Sequence, residues 1–167
     1  GIQIMVGKND FIIPITNVIK AQRVERSAIR IIEGRLSIQW RDKYVPFSYL
    51  ADILNIPSDS KESPFVPTLI MKAGDSVAAI GVTDIISENE VFAKNLGSQL
   101  KRVKYIAAAT VQEGGKVIPI LDTYDIVKSS FSITMKAEKP QDTLQAYQKK
   151  KKILVVEDSV TTRVLLK

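Results

Sequence analysis

The sequence contains no cysteine and no histidine among its 167 residues. Without cysteine there can be no disulfide, no thiolate nucleophile and no cysteine-ligated zinc. Without histidine the Ser-His and Cys-His catalytic pairs are excluded, together with the commonest metal ligand and any histidine that could carry phosphate. These two absences remove most of the common catalytic machinery, so an enzyme is the least supported class of function.

The sequence also lacks a long hydrophobic run. No stretch of about 18 apolar residues occurs, so we expect no direct membrane insertion. The first residues do not combine a basic segment with an apolar one, so we expect no secretory signal and a cytoplasmic protein. Because the chain begins with Gly1, we expect the natural protein to extend further.

Positive charge is concentrated in one place. The formal net charge is +6, and the four consecutive lysines at 149–152 supply most of it. We interpret this run as a solvated linker, with an anionic partner as the alternative. No aromatic residues interleave with it, so nucleic acid is not expected as a partner. A basic nucleic-acid-binding module remains an alternative function, and oligonucleotide binding titrated with salt would test it.

Four short stretches share one pattern, in which a proline or glycine stands between two apolar residues. They are residues 13–15, 45–47, 80–82 and 118–120. Each is interpreted as part of the return strand of a hairpin. The order of the hairpins repeats after a loop at 57–64, with Ile13 matching Ile80 and Val45 matching Ile118. This repeat predicts two small β-barrels, roughly 1–56 and 65–128, that share an interface within an all-β domain at 1–128.

Local patterns refine this prediction. Residues 11–19 and 77–86 each read as one long strand, whereas 20–35 reads as a connection with one short strand. Helices are expected at 48–54, capped by Ser48, and from Thr123. Gly81 is expected to serve backbone geometry. The following apolar residues are assigned to the barrel interior: Ile12, Ile13, Ile15, Val77, Ile80 and Val82.

The end of the chain differs from the rest. Residues 129–151 have the composition of a linker. Residues 152–156 form a β-branched run followed by Glu157, Asp158 and the start of an apparent helix. Strand, acidic turn and helix are how an α/β domain begins, and such folds carry their chemistry at the carboxyl ends of strands.

Residues 152–167, KILVVEDSVTTRVLLK, resemble the opening of a response-regulator receiver domain. The resemblance implies that Glu157 and Asp158 bind Mg²⁺ in a complete receiver, beside a phosphoacceptor aspartate that lies outside this chain. Adjacent carboxylates suit a hard cation. With only the first strand and helix start at 152–167, little metal affinity is expected, and no cofactor is expected in this segment itself.

Residues 1–128 resemble the CheW-like domain of bacterial chemotaxis. The pieces that carry the resemblance are FIIPITNV (11–18), YVPF (44–47), AIGVTDI (79–85), VFAKNLG (91–97) and GKVIPILD (115–122). The turn at 112–115 is longer than the family pattern, and Ala78-Ala79 is small for its strand. The resemblance implies two SH3-like five-stranded β-barrels without catalytic function.

The same resemblance implies a regulatory role. KNLG (94–97) and the TTR segment (161–163) are most similar to CheA-type hybrid histidine kinases, whose ATP-binding and phosphotransfer domains would precede Gly1. The implied partners are a CheW-type coupling protein and chemoreceptor cytoplasmic tips. A CheV-type adaptor with no kinase remains the alternative. Candidate partner-binding residues are Trp40, Tyr44 and Lys94, with burial of the two aromatics in the core as the competing interpretation.

Overall fold

The computed structural model describes residues 1–57, 63–88, 90, 103–112 and 114–133. All of them lie in one unit of the chain, Gly1–Lys136. They form eleven β-strands and two α-helices. The strands are β1 (Ile2–Val6), β2 (Asn9–Ile13), β3 (Val18–Glu25), β4 (Arg30–Ile32), β5 (Arg35–Trp40), β6 (Lys43–Tyr49), β7 (Phe65–Ala73), β8 (Ser76–Gly81), β9 (Asp84–Glu88), β10 (Ile106–Val111) and β11 (Val117–Leu121), and the helices are α1 (Leu50–Leu54) and α2 (Thr123–Ser132).

The strands build two sheets. The first sheet has the order β10-β11-β2-β1-β9 and the second has the order β3-β7-β8-β6-β5-β4. The mostly-β prediction is confirmed, and the first sheet has the expected five strands, while the second adds β4 as a sixth. The sheets do not follow the predicted halves 1–56 and 65–128. Hairpin β1–β2 joins strands from the second half, and hairpin β7–β8 joins strands from the first.

This exchange of strands preserves the repeat seen in the sequence. In the first sheet Ile12 of β2 pairs with Ile120 of β11 in parallel. The repeat makes Ala79 and Phe47 the equivalents of these two residues, and they form the parallel pair between β8 and β6. The return strands of the four hairpins therefore meet in two equivalent pairs, one at the centre of each sheet.

The outer pairing is duplicated as well. Ile4 of β1 pairs with Ile85 of β9, and the register then shifts between Gln3 and Ile4. The equivalent strands β7 and β3 pair through Met71 and Val18, and their register shifts at the same place. Since a β-bulge needs one extra residue at a defined position, a shared bulge shows that the two sheets are copies of one design.

Three predicted strand boundaries are wrong. Pro14, which lacks an N–H group, ends β2, and Ile15–Asn17 form a 3₁₀ turn before β3 begins. The segment at 77–86 divides into β8 and β9. The segment at 20–35 contains most of β3, an eight-residue strand that pairs along its length with β7. Only Val24 of β3 is buried, so the strand lacks the alternating apolar pattern by which strands are recognised.

The two helices are short and their starts differ. Asp122 caps α2 by accepting hydrogen bonds from the backbone N–H groups of Tyr124 at 3.0 Å and Asp125 at 3.2 Å. The cap of α1 is Tyr49, which makes no side-chain bond, so the prediction of Ser48 as cap is wrong. Ser48 is instead buried within β6.

Both helices contribute to one apolar cluster. Leu50 and Ile53 of α1 and Ile126 and Val127 of α2 pack with buried residues of β1, β2, β7 and β8. This cluster contains residues of both sheets. A second cluster of buried residues lies within the second sheet and consists of Val24, Ile38, Val45, Phe47, Val66, Ile70 and Ala79. The sheets therefore share a core, as the marginal size of each alone requires.

The predicted interior residues are mostly buried. Ile12, Ile13, Ile80 and Val82 are in the core. Ile15 is 41% exposed because it lies in the 3₁₀ turn after Pro14, where the strand alternation has ended. Val77, near the start of β8, is half-buried.

Gly81 serves close packing. A Cβ atom at this position would lie 2.7 Å from Cζ of Phe47 and 3.2 Å from Cδ1 of Tyr49. A glycine in a strand often marks such a close approach.

Candidate partner-docking surface

The hairpin β5–β6 brings two of the predicted residues together. Its turn contains only Arg41, with a φ of 53°, and Asp42, so Trp40 and Lys43 are paired across the strands. Tyr44 follows and is 51% exposed. A tight turn of this kind holds the aromatic side chains at the tip of a rigid ribbon.

Trp40 and Tyr44 line one groove, which we call the aromatic groove. Its volume is about 510 Å³. It lies where the β5–β6 turn, the β7–β8 turn and the last turn of α2 approach one another. The residues that line it are Trp40, Arg41, Asp42, Lys43, Tyr44, Val45, Pro46, Asp75, Ser76, Val77 and Phe131.

A second, smaller groove adjoins the first at Tyr44, and we call it the side groove. It has a volume of about 300 Å³ and runs between β3 and the β5–β6 hairpin. Arg23 and Arg30 lie on its walls together with Glu25. Tyr44 is the residue that lines both grooves.

Trp40 belongs to both the core and this surface. Its ring packs against the second apolar cluster and is half-buried. Lys20 Nζ lies 5.8 Å from the ring centre and Arg41 Cζ lies 5.6 Å from it. Cations within about 6 Å of an indole ring are attracted by its quadrupole. Trp40 therefore lies partly in the core and partly at the surface of the groove.

The charged side chains at this surface are of both signs. Among the described residues, no ion pair involves Lys20, Arg23, Arg30, Arg41 or Lys43. The carboxylates of Glu25, Asp42 and Asp75 also line the grooves. The aromatic groove is thus lined by two cations and two carboxylates, and the side groove by two arginines and one carboxylate.

Several lining residues were not singled out by the sequence. Phe131 was placed at the edge of a linker, and Val77 was assigned to the barrel interior. The signal that could have found Val77 is the repeat itself. Its equivalent in the first hairpin is Asp10, so one copy carries a charge where the other carries an apolar side chain.

The other predicted site residues lie elsewhere in the chain. Lys94, Glu157 and Asp158 are outside the described residues. Within the part of the chain that the structure describes, no three acidic side chains converge in a way that could hold a metal ion. No helix in that part is long and apolar enough to span a membrane.

The sequence is similar to curated chemotaxis proteins. It is 27% identical over 162 residues to the sensor histidine kinase CheAY of Helicobacter pylori, covering 94% of this chain and 20% of that protein. It is 31% identical over 119 residues to the chemotaxis protein CheA of Bacillus subtilis, covering 71% of this chain and 18% of that protein. The chain thus spans about a fifth of the length of these relatives.

The fold is similar to that of a solved protein. The crystal structure of the scaffolding protein TtCheW from Thermoanaerobacter tengcongensis matches with a TM-score of 0.57 and 16% sequence identity. The match covers 72% of this chain and 86% of that one. Residues 1–131 also match the model of the CheW-like domain. This chain therefore belongs to the CheW-like domain family.

Proposed function

We propose that this domain is the regulatory docking module of a chemotaxis-type histidine kinase. The observation that carries the proposal is the match of residues 1–131 to the CheW-like domain together with the similarity to two proteins named as CheA and CheAY. The partners in this proposal are a CheW-type coupling protein and the cytoplasmic tips of chemoreceptors. Such a role requires a cytoplasmic location.

The aromatic groove supports docking as the mechanism. Tyr44 is exposed beside the turn of a short hairpin, and Trp40 of the same hairpin packs against the second apolar cluster. Rigid aromatic anchors with cations at the rim are typical of the residues that dominate binding energy in protein interfaces. A partner bound here regulates a kinase only if it contacts the active and inactive states differently.

The position of Phe131 supplies a physical route for such a difference. Phe131 lies in the last turn of α2 and lines the aromatic groove. A partner in the groove would therefore contact the helix from which the chain continues toward its C-terminal segment.

The receiver is a further part of the proposal. The alignment with CheAY covers 94% of the chain, which is more than the CheW-like residues 1–131 alone. In the complete receiver Glu157 and Asp158 would hold Mg²⁺ for phosphorylation of an aspartate. ATP would bind in a kinase domain preceding Gly1. Names of the kinase type among the relatives favour this arrangement over an adaptor without a kinase.

Calorimetric titration of this chain with a purified CheW-type coupling protein tests the proposal. We expect saturable binding with one site per chain, and weaker binding by the Trp40→Ala variant. The Ile31→Ala variant is the matched control because Ile31 is an exposed apolar residue on β4 that does not line the aromatic groove. Absence of binding by the folded wild-type chain would show that the domain is not a docking module for that protein.

A further inference from the structure

The two helices are equivalent in the repeat but differ in length. The match of Val45 with Ile118 places Leu50–Leu54, the whole of α1, on residues 123–127, the first half of α2. Whereas α1 ends there, α2 continues through residues 128–132, which we call the helix extension. The extension has no helical counterpart after α1, so the repeat itself does not account for it.

The end of α1 shows what the repeat does at the point where the extension begins. Asn55, the equivalent of Lys128, has the left-handed angles φ 54° and ψ 44° and ends the helix. The N–H of Ile56 then donates to the carbonyl of Ala51 at 2.8 Å. A left-handed residue followed by such a bond is a common helix cap, and asparagine is one of the residues that favour it.

The chain that follows α1 packs against a hairpin turn. A Cβ atom added to Gly7 in the β1–β2 turn would lie 2.6 Å from the carbonyl oxygen of Pro57. The equivalent glycine is Gly74 in the β7–β8 turn, and its φ of 59° matches the 60° of Gly7. No described atom lies within 4 Å of a Cβ added there. A chain that left α2 at Lys128 would therefore meet no described atom at this turn.

The sequence of the extension is a weak helix former. Three of its five residues are serine, whose hydroxyl competes with the backbone for hydrogen bonds. Ser130 Oγ donates to the carbonyl of Val127 at 2.6 Å, and Ser132 Oγ donates to that of Lys128 at 3.4 Å. Bonds of this kind to the preceding turn slightly destabilise a helix. Because Ile133 ends the helix in an extended conformation, the extension also lacks the left-handed cap of α1.

Two contacts hold the extension against the rest of the domain. Ser129 Oγ donates to the phenolic oxygen of Tyr105 at 3.1 Å. Phe131 packs against the apolar cluster to which both helices contribute, and it lines the aromatic groove. Ser130, between them, is 1% exposed. Tertiary contacts, and not helix propensity, therefore keep these residues helical.

Tyr105 fixes α2 at two places. Its carbonyl accepts the N–H of Asp122, the cap residue, at 2.8 Å, while its hydroxyl accepts from Ser129 in the extension. Its own φ of 68° is uncommon for a bulky side chain. Strained backbone persists only where the surroundings fix it, and it is frequent at switch regions.

We propose that the helix extension is a two-state element, helical in this structure and released in a second state in which α2 ends at Lys128 as α1 ends at Asn55. Release breaks the bond between Ser129 and Tyr105 and removes Phe131 from the wall of the aromatic groove. The inference does not depend on the docking function, because the equilibrium belongs to the chain without a partner. A ligand of the groove shifts it only by binding the two states with different affinity.

The test uses the whole 167-residue chain, whose lack of cysteine allows one reporter thiol to be introduced. Ser130→Cys places the thiol in the extension, and Val127→Cys places it just before Lys128, at positions that are 1% and 0% exposed. Labelling by iodoacetamide then requires opening of the structure. We expect the thiol at position 130 to react at least about tenfold faster than the one at 127. Low urea should accelerate only the reaction at 127, because that opening exposes more surface.

A second pair of variants tests the contact with Tyr105. Tyr105→Phe removes the hydroxyl that accepts from Ser129 and keeps the ring. Labelling at position 130 should become roughly fivefold faster, the factor that corresponds to one hydrogen bond, and labelling at 127 should not change. Tyr124→Phe is the matched control, because it removes the hydroxyl of a tyrosine on the same helix that is 57% exposed. It should leave both rates unchanged.

A third pair of variants tests the place of release. Lys128→Asn introduces the residue at which α1 ends, and asparagine tolerates the left-handed conformation. Lys128→Gln removes the same charge from this exposed position but keeps a good helix former. We expect labelling at position 130 to be roughly threefold faster in the asparagine variant than in the glutamine variant.

Hydrogen exchange of the unmodified chain needs no substitution, and it decides the matter if a cysteine variant does not fold by circular dichroism. The N–H groups of residues 129–133 should share one protection factor, lower than that of residues 126 and 127. Exchange that quickens residue by residue toward Ile133 is ordinary fraying of a helix end and would overturn the inference.

Three labelling results would overturn it as well. The first is an equal rate, with equal dependence on urea, at positions 130 and 127. The second is equal acceleration by Tyr105→Phe and Tyr124→Phe, or acceleration by neither. The third is the same rate in Lys128→Asn and Lys128→Gln.

Discussion

The first sheet closes its exposed hairpin turn with bonds inside the chain, whereas the second sheet leaves the equivalent turn open. Lys116 is paired with Asp10 in the first sheet, and Lys43 has no such partner among the described residues of the second. The order of the five equivalent strands, the central parallel pairs and the β-bulge are nevertheless the same in both, and β4 is an addition to the second sheet.

This difference distinguishes the features that the fold requires from the features that are available for a function. A feature present in both copies, such as the shared bulge, serves the architecture. A feature present in one copy only, such as the Trp40 and Tyr44 pair, is free to serve a partner. Internal duplication thus supplies its own control, because each residue of one sheet can be compared with its equivalent in the other.

The largest expected effect is on the free energy of unfolding, when a buried side chain of either central parallel pair is truncated. Phe47 is buried, and its ring makes an edge contact with Tyr49 at a centroid distance of 5.0 Å. Its counterpart Ile120 lies in a small cluster with Ile12, Ala108 and Ile118. We expect Phe47→Ala to lower the free energy of unfolding by about 4 kcal/mol and Ile120→Ala by about 3 kcal/mol.

Urea denaturation of the two variants measures this difference. A larger loss for Ile120→Ala than for Phe47→Ala would contradict the ranking of the two sheets by the size of their packed side chains. The slope of unfolding against urea should stay the same, because neither variant changes the extent of the folded structure.

The next effect concerns the place where the second sheet is packed most tightly. Adding a Cβ at Gly81 meets Phe47 Cζ at 2.7 Å, so Gly81→Ala should destabilise the protein by about 1–3 kcal/mol. In a Phe47→Leu background the ring atom is gone, and the same substitution should cost less. A double-mutant cycle measures this coupling. An identical cost in both backgrounds would show that Phe47 is not the obstacle.

A smaller effect is expected at the ion pair of the first sheet. Asp10→Val gives this sheet the residue found at Val77 and removes the partner of Lys116, whose side chain is 62% exposed. Exposed pairs contribute about 0–1 kcal/mol, so the loss of stability should be within that range and should shrink in high salt. A loss that exceeds about 2 kcal/mol at any salt concentration would mean that the pair supports the fold.

The smallest expected effect is on the pKa of Tyr105, which directly precedes β10 as Gly34 directly precedes the equivalent strand β5. Tyr105 has a φ of 68° directly before β10, and Gly34 has a φ of 74° directly before β5. Hydrogen bonds with the Lys104 and Ser129 side chains lower the pKa of the Tyr105 phenol from its usual value of 10.0. Ultraviolet titration should show one of the five tyrosines ionising early, and Lys104→Gln should delay it.

The lowered pKa of Tyr105 determines how the stability of the fold depends on pH. Because the folded state favours the phenolate, the stabilisation is present above pH 10 and is lost as the pH falls through the lowered pKa of Tyr105. Lys8→Gln, which removes a distant charge, should leave the titration unchanged. If both lysine variants shift it equally, the cause is the overall charge and not the bond from Lys104.

Much of the architecture could be predicted from the sequence because hairpins and their repeat are local patterns. The β5–β6 hairpin was placed correctly, since Leu36, Ile38 and Trp40 alternate with polar residues. The strand β3 was missed because a mostly exposed edge strand carries no apolar alternation. The exchange of strands between sheets could not be predicted, because the repeat specifies which strands match and not which copies pair.

The candidate surface was predicted only in part. Trp40 and Tyr44 were identified from their residue types, and the structure places both in one groove. Lys43, Val77 and Phe131 required the three-dimensional arrangement, since they come from β6, β8 and α2, which are distant in sequence. The roles of Lys94, Glu157 and Asp158 stay predictions.

The most direct test of the account compares equivalent residues of the two sheets in binding to a CheW-type coupling protein. Tyr44→Val gives the second sheet the residue of the first, and Val117→Ala truncates that residue in the first sheet, where it is 61% exposed. Calorimetry should show roughly tenfold weaker binding for Tyr44→Val and unchanged binding for Val117→Ala. Equal weakening by both, or by neither, would contradict the assignment of docking to the second sheet.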